Sequence, residues 1–248
     1  MGYFDPQKWH EELMKNISPQ LAYKEGEEFK AWQAKARNTL ERLLGLPLPK
    51  TEPNVRVEYE RKTEEFLEKR FIFTSEGNVD VPCHLLIPKS DKAEDKKVYP
   101  LVICLQGHSK GMHISLGRAK YPGDEQSIAG DRDFAIQAVK EGYAALAIEQ
   151  RCFGERGGTS DGPNCYQSTM SALLLGRTTI GERVWDISRA IDVIEKYFPE
   201  IDSSRIACMG NSGGGTITYY AACLDERIAV AMPSCAVCNY VDSIGTLY

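Results

Sequence analysis

Ser212 lies in the string Gly210-Asn211-Ser212-Gly213-Gly214-Gly215, behind the apolar run Ile206-Ala207-Cys208-Met209 and ahead of a stretch with helical character. A G-x-S-x-G string between a strand and a helix is the sequence form of a nucleophile elbow, a sharp turn that presents the serine hydroxyl for attack on an acyl carbonyl. Glycines at 210, 213 and 214 suit that turn, because larger side chains would strike the strand, the helix or the substrate. The same glycines do not suit phosphate: a P-loop needs a lysine before Ser/Thr, and a dinucleotide fingerprint needs G-x-G-x-x-G. The tetrahedral intermediate of acyl transfer requires N–H donors for its oxyanion. Gly213 is expected to supply one. The loop Leu105-Gln106-Gly107-His108-Ser109-Lys110-Gly111 is expected to supply the other from the His108 N–H, with Ser109 as its neighbour.

A serine hydroxyl is a weak nucleophile until a base takes its proton. The chain order that accompanies this motif is serine, then acid, then histidine. All four histidines, His10, His84, His108 and His113, precede Ser212. The expectation is therefore an enzyme whose triad acid and histidine lie beyond Tyr248, completed by a separate C-terminal segment. His108 or His113 as the base, and Asp242 as the acid, are less favoured assignments. The His108 loop should face the serine from the oxyanion side, and Asp242 reads better as an exposed loop carboxylate.

Other chemistry-bearing residues read as structural. Cys104, Cys208 and Cys223 fall inside expected strands or helices, where cysteine acts as a small apolar residue, so free thiols are expected. Cys235-Ala236-Val237-Cys238 has redox-motif spacing but no partner pair for a zinc site. No metal or organic cofactor is implied. Glu149 and Arg151, with Arg177, Arg183 and Asp186, are expected to pair as a loop brace rather than to touch substrate.

The elements that must position these groups follow from periodicity. Between Gly26 and Leu44, Phe29, Trp32, Ala36, Leu40 and Leu43 recur at helical steps, followed by Gly45 and Pro47, which predicts an amphipathic helix. Residues 1–60 are read as a helical arm that packs as structure, and 61–248 as the core. Phe71-Ile72-Phe73 and Val81 to Ile87, separated by Ser75-Glu76-Gly77-Asn78, predict an antiparallel hairpin. The continuous apolar runs Leu101 to Leu105, Tyr143 to Ile148, Ile206 to Met209 and Ile228 to Met232 predict strands buried on both faces. Helices are predicted between them at Asp131 to Glu141, Val184 to Phe198 and Gly213 to Leu224. The alternation implies an α/β fold with a mostly parallel sheet and helices on both faces. The long connection from Gln150 to Ile180 is expected to wall the site, because it leaves a strand's C-terminal edge.

Bulk properties limit the alternatives. The chain has 248 residues and a net charge of −5, enough for one large domain and without the basic stripe that nucleic acid needs. Asp91 to Lys97 alternates in sign and reads as a solvated loop. No run approaches the roughly 18 apolar residues of a membrane span, and no signal-like segment opens the chain. A soluble, cytoplasmic protein without membrane or nucleic-acid partners is the expectation.

The stretch from Gly176-Arg177 through Gly181-Glu182-Arg183-Val184-Trp185-Asp186-Ile187, then Arg189 to Asp192, Asp202 to Ile206, Gly210 to Gly215 and Leu224 to Ile228, resembles the bacterial acetyl xylan esterase and dienelactone-hydrolase-like branch of the α/β-hydrolases. Gln106-Gly107-His108 and Arg151-Cys152-Phe153-Gly154 echo the family's His-Gly and Arg-Gly-Phe-Gly positions, with Gln106 in place of the usual histidine. The resemblance implies a serine ester hydrolase acting on acetylated carbohydrate or another small ester, and a C-terminally incomplete sheet. A peptidase or lactonase could use the same machinery. A non-catalytic α/β binding module or inactive fragment is the reading from a different class.

Overall fold

The computed structural model describes residues 4–89 and 98–243. The expected loop at Asp91 to Lys97 lies outside the described residues. Two compact units are distinguished, Met1–Leu40 with Val237–Tyr248, and Glu41–Ala236.

In the first unit, α1 (Pro6–Lys15) is N-capped by Asp5, whose carboxylate accepts from the Gln7 N–H at 2.9 Å. The expected amphipathic helix is α2 (Phe29–Leu44). Tyr23, Phe29 and Trp32 group their rings at centroid distances of 5.2 to 5.9 Å, and the Trp32 indole N–H donates to the Leu21 carbonyl at 2.9 Å.

The second unit holds a seven-stranded sheet, built from β1 (Arg56–Lys62), β2 (Phe66–Glu76), β3 (Val79–Pro88), β4 (Tyr99–Leu105), β5 (Ala144–Ile148), β6 (Ile201–Asn211) and β7 (Ile228–Ser234). Its order is β1-β2-β3-β5-β4-β6-β7. The first three strands and β5 pair antiparallel, and β5, β4, β6 and β7 pair parallel, so the predicted hairpin and parallel set are both present. Helices α3 (Asp124–Ile128), α4 (Phe134–Lys140), α5 (Tyr166–Leu174), α6 (Thr179–Tyr197) and α7 (Gly213–Leu224) make the connections. The short α8 (Tyr240–Ser243) belongs to the first unit.

Alternate side chains of the strands feed two cores. Leu101, Ile103 and Leu105 of β4 pack with Ile187, Ile191 and Ile194 of α6 and Ile217 of α7. Val102 and Cys104 point to the other face and meet Ala135, Ala138 and Val139 of α4. Helices on both faces explain why these strands read as unbroken apolar runs.

One strand departs from that expectation. The run Ile228 to Met232 is buried only at Ile228, while Val230 and Met232 are 52% and 43% exposed. Among the described residues β7 pairs on one side only, with β6, so one edge stays uncovered despite the apolar sequence.

Candidate active site

Sheet order sets the site. Strands β4 and β6 are parallel neighbours in a register that matches Leu105 with Gly210, so the loop after β4 and the turn after β6 leave side by side. Asn211 ends β6 and Gly213 opens α7, leaving Ser212 alone to reverse the chain. It does so at φ 52° and ψ −117°, a backbone conformation that a residue with a β-carbon adopts only when its surroundings impose it.

Those surroundings are specific. The Ser212 N–H donates to the Ser234 carbonyl at 2.8 Å, and its own carbonyl accepts from the Thr216 N–H at 2.8 Å. A β-carbon on Gly214 would lie 2.2 Å from the Leu105 carbonyl oxygen, and one on Gly210 would lie 2.4 Å from the Gly214 carbonyl. Close backbone approach therefore requires glycine at both positions. Ser212 itself is exposed.

The loop after β4 runs along the turn. A β-carbon placed on Gly107 would sit 3.5 Å from the Ser212 β-carbon, and one placed on Gly213 would sit 3.6 Å from the His108 backbone nitrogen. Ser212, Gly213 and the His108 amide are thus gathered in one place. Ser212 and His108 border a cavity of about 450 Å³ whose wall includes Gln106, Ser109, Arg132 and Phe134. The buried Ser109 hydroxyl has no hydrogen-bond partner among the described residues. Arg132, which no sequence pattern singled out, is steadied by its Nε donating to the Ser127 carbonyl at 2.8 Å.

The His108 ring turns elsewhere. Its Nε2 lies 3.3 Å from the Cys165 sulfur, and its ring is 5.4 Å from that of Phe153. His113 Nε2 is 2.8 Å from a carboxylate oxygen of buried Asp124. His84 is held between Glu68, at 2.6 Å from Nδ1, and Arg70, at 3.0 Å from Nε2. Arginine can only donate, so Nε2 accepts and the His84 proton resides on Nδ1. Among the described residues no imidazole hydrogen bond to the Ser212 hydroxyl is present. Asp242, in α8, accepts from the Asn239 side-chain amide and donates its own N–H to Asn239 Oδ1 at 2.8 Å.

The charged groups named from sequence divide into two sets. Arg151 grips Asp186 with two hydrogen bonds of 2.9 Å, Arg156 adds one at 2.6 Å, and Ser75 donates to the same carboxylate at 2.7 Å. Burial pushes the Asp186 carboxyl up, but the Arg156 and Arg151 charges outweigh it and hold it at about 2. Arg177 and Arg151 both reach Glu76 and Glu182, so the expected brace exists with partners that tertiary contact alone supplies. Arg183 joins through its donation to the Arg151 carbonyl at 2.6 Å.

Glu149 differs from the arginine-paired carboxylates. One carboxylate oxygen accepts from the Met112 N–H at 3.0 Å and the Gln106 side chain at 3.2 Å, and the other faces the Glu155 N–H at 3.4 Å. Burial pushes its carboxyl up to about 7, against the pull of the Met112 and Glu155 amides. It fastens both ends of the loop that carries His108.

Comparison with known proteins bears on the fold. Residues 166–238 match the family profile of fungal glucuronyl esterases. YtaP of Bacillus subtilis (strain 168), named as a hydrolase, is 27% identical over 208 residues, covering 82% of this chain and 64% of that protein. A Bacteroides fragilis structure described as an acetyl xylan esterase superposes with a TM-score of 0.78 at 19% identity, covering 92% of this chain and 59% of that one. This is the α/β-hydrolase fold.

Acetyl xylan esterase from Paenibacillus sp. R4 shares the fold with a TM-score of 0.57 at 20% identity, over 94% of this chain and 67% of that one. The chain spans about three-fifths of the length of the Bacillus and Bacteroides proteins. Among its described residues no helix is long and apolar enough to cross a membrane, and no group of three or more His, Cys, Asp or Glu side chains could hold a metal ion.

Proposed function

We propose that Ser212 is the nucleophile of a carboxylic-ester hydrolase acting on acetylated carbohydrate or another small ester. The observation that carries this reading is the forced φ of 52° at an exposed serine beside the His108 amide and an open cavity. Strain of this kind persists where a fold over-determines it, and here the strained residue lies on the cavity wall.

In the reaction, the Ser212 oxygen bonds to the acyl carbon, and the carbonyl oxygen gathers negative charge between the N–H groups of Gly213 and His108. The alcohol departs, and water releases the acyl group. His84, His108 and His113 are engaged with other partners, so this reading looks beyond these three for the base that takes the Ser212 proton. The related esterases support the ester and carbohydrate elements of the proposal.

The test is p-nitrophenyl acetate turnover together with labelling by a fluorophosphonate, with Ser212→Ala as the control. Label on Ser212, and turnover lost in the variant by roughly three or more orders of magnitude, is the expected outcome. Label on another residue, or equal turnover by the variant, rejects it. Label on neither, in a folded protein, favours the non-catalytic binding module.

A further inference from the structure

The loop that leaves β5 passes Cys152 and returns to Cys165, the N-cap residue of α5. The Asn164 N–H donates to the Cys152 carbonyl at 2.9 Å, which closes the loop and brings its two cysteines together. Cys165 follows Asn164 directly, so the two side chains leave neighbouring stretches of backbone, and both are free thiols. Neither the esterase reading nor the fold uses them. They stand in a chemically biased setting: His108 Nε2 lies 3.3 Å from the Cys165 sulfur on one side, and Arg183 Nη2 donates to it at 3.3 Å on another. The Arg183 guanidinium is itself fixed over the Phe153 ring at 4.4 Å.

We propose that Cys152 and Cys165 are a reversible oxidation site, in which hydrogen peroxide or a related peroxide converts the two thiols to a disulfide. Cys165 is the attacking thiol. It has the imidazole to accept its proton, the guanidinium to stabilise its anion and the N-terminus of α5 behind it, whereas Cys152 is buried at 4% exposure. Cys165 is half-buried and meets the oxidant first, and a cavity of about 440 Å³ is bordered by Cys152, Asn164, Arg156 and Gln167.

The steps balance. The Cys165 proton passes to His108 Nε2, the sulfur bonds to one peroxide oxygen, and the O–O bond breaks. The departing hydroxide takes the proton from His108 and leaves as water. The Cys152 sulfur then attacks the Cys165 sulfenic acid, the S–S bond forms, the S–O bond breaks, and the second hydroxide carries off the Cys152 proton. Two thiols and one peroxide give one disulfide and two waters.

Local electrostatics make the imidazole necessary. Burial pushes the Cys165 thiol up, against the pull of Arg183, so the resting form is the thiol. Desolvation and the Arg183 charge lower the His108 imidazole, which leaves Nε2 neutral and able to accept. Closing the disulfide removes that thiol hydrogen from the His108 ring, whose backbone N–H faces Gly213.

The experiment treats the whole chain with a small molar excess of hydrogen peroxide, alkylates the remaining thiols and maps non-reduced peptides by mass. A Cys152 to Cys165 cross-link, lost on adding dithiothreitol, is expected. His108→Ala, which keeps the backbone N–H, should slow its formation by at least about tenfold. Cys152→Ala should leave a Cys165 sulfenic acid that dimedone traps. A cross-link only between the exposed Cys235 and Cys238, over-oxidation of Cys165 with Cys152 still open to alkylation, or two unreacted thiols each overturns the proposal. Peptide mass does not depend on Ser212, so failure here is separate from failure of the esterase reading, and the wild-type map stands even if a variant misfolds.

Discussion

The Glu149 carboxylate accepts the Met112 backbone N–H at 3.0 Å, tying the end of β5 to the loop that follows β4. That contact belongs to an acid whose ionised form burial disfavours, and its carboxyl is raised from 4.5 to about 7. Below about pH 4.5 the group is protonated in both folded and unfolded chains, and its stabilising contribution is complete. Between 4.5 and 7 the unfolded chain releases the proton while the folded one retains it, so that contribution is lost as pH rises, by on the order of 3 kcal/mol. Glu149→Gln should remove this slope. Urea midpoints of both proteins at pH 5 and pH 8 check it, and parallel pH dependences would contradict the assignment.

At Ser212 the proposed function can be separated from backbone strain. Ser212→Ala keeps the β-carbon at φ 52° and should leave the melting temperature near that of the parent. Ser212→Gly relaxes the turn, and after the entropy cost of glycine it should be more stable than Ser212→Ala by about 1 kcal/mol. Equal melting temperatures for the two variants would show that the turn carries no such strain.

Gly214→Ala places a methyl 2.2 Å from the Leu105 carbonyl oxygen and 2.5 Å from that of Gln106. Both obstacles are backbone, so a loss of about 3 kcal/mol or more is expected, with displacement of the His108 loop. Denaturant titration gives the first quantity. Full retention of both stability and Ser212 labelling would rule out the close approach.

Asp186→Ala takes from Arg156 the carboxylate it pairs with at a buried site, and leaves Arg151 with Glu76 and Glu182 alone. A loss of about 3 to 5 kcal/mol is expected at neutral pH. In the parent, the lowered Asp186 carboxyl contributes stability above pH 3.8 that is lost as pH falls through about 2. The variant should therefore lack this part of the acid transition, as circular dichroism across that range would report.

Much of this architecture was legible because burial on two faces writes itself as unbroken apolar runs. Leu101 to Leu105 and Ile206 to Met209 became neighbouring parallel strands, and Gly213 to Leu224 became a helix with the expected limits. The run beginning at Ile228 carries the same signal but lies along an uncovered edge, because composition does not reveal how many neighbours a strand acquires. Arg56 to Lys62 gave no apolar signal, since all of β1 is exposed and is held by its pairing with β2. At the site, Ser212, Gly213 and His108 were singled out by local turn chemistry and gathered by the fold. The pairing of Asp186 with Arg156 spans 30 positions, and Cys165 meets His108 across 57, distances over which no local pattern carries information.

The Leu105 to Gly210 match across β4 and β6 makes the spacing between the serine turn and its facing loop a property of the sheet's centre. No hinge lies between the two strands. Partial opening at the periphery, at β1, leaves that spacing intact, whereas release of β7 also removes the Ser234 carbonyl that holds the Ser212 N–H. In rising denaturant, the fluorophosphonate labelling proposed for Ser212 should therefore persist to the global transition and vanish with it in one step.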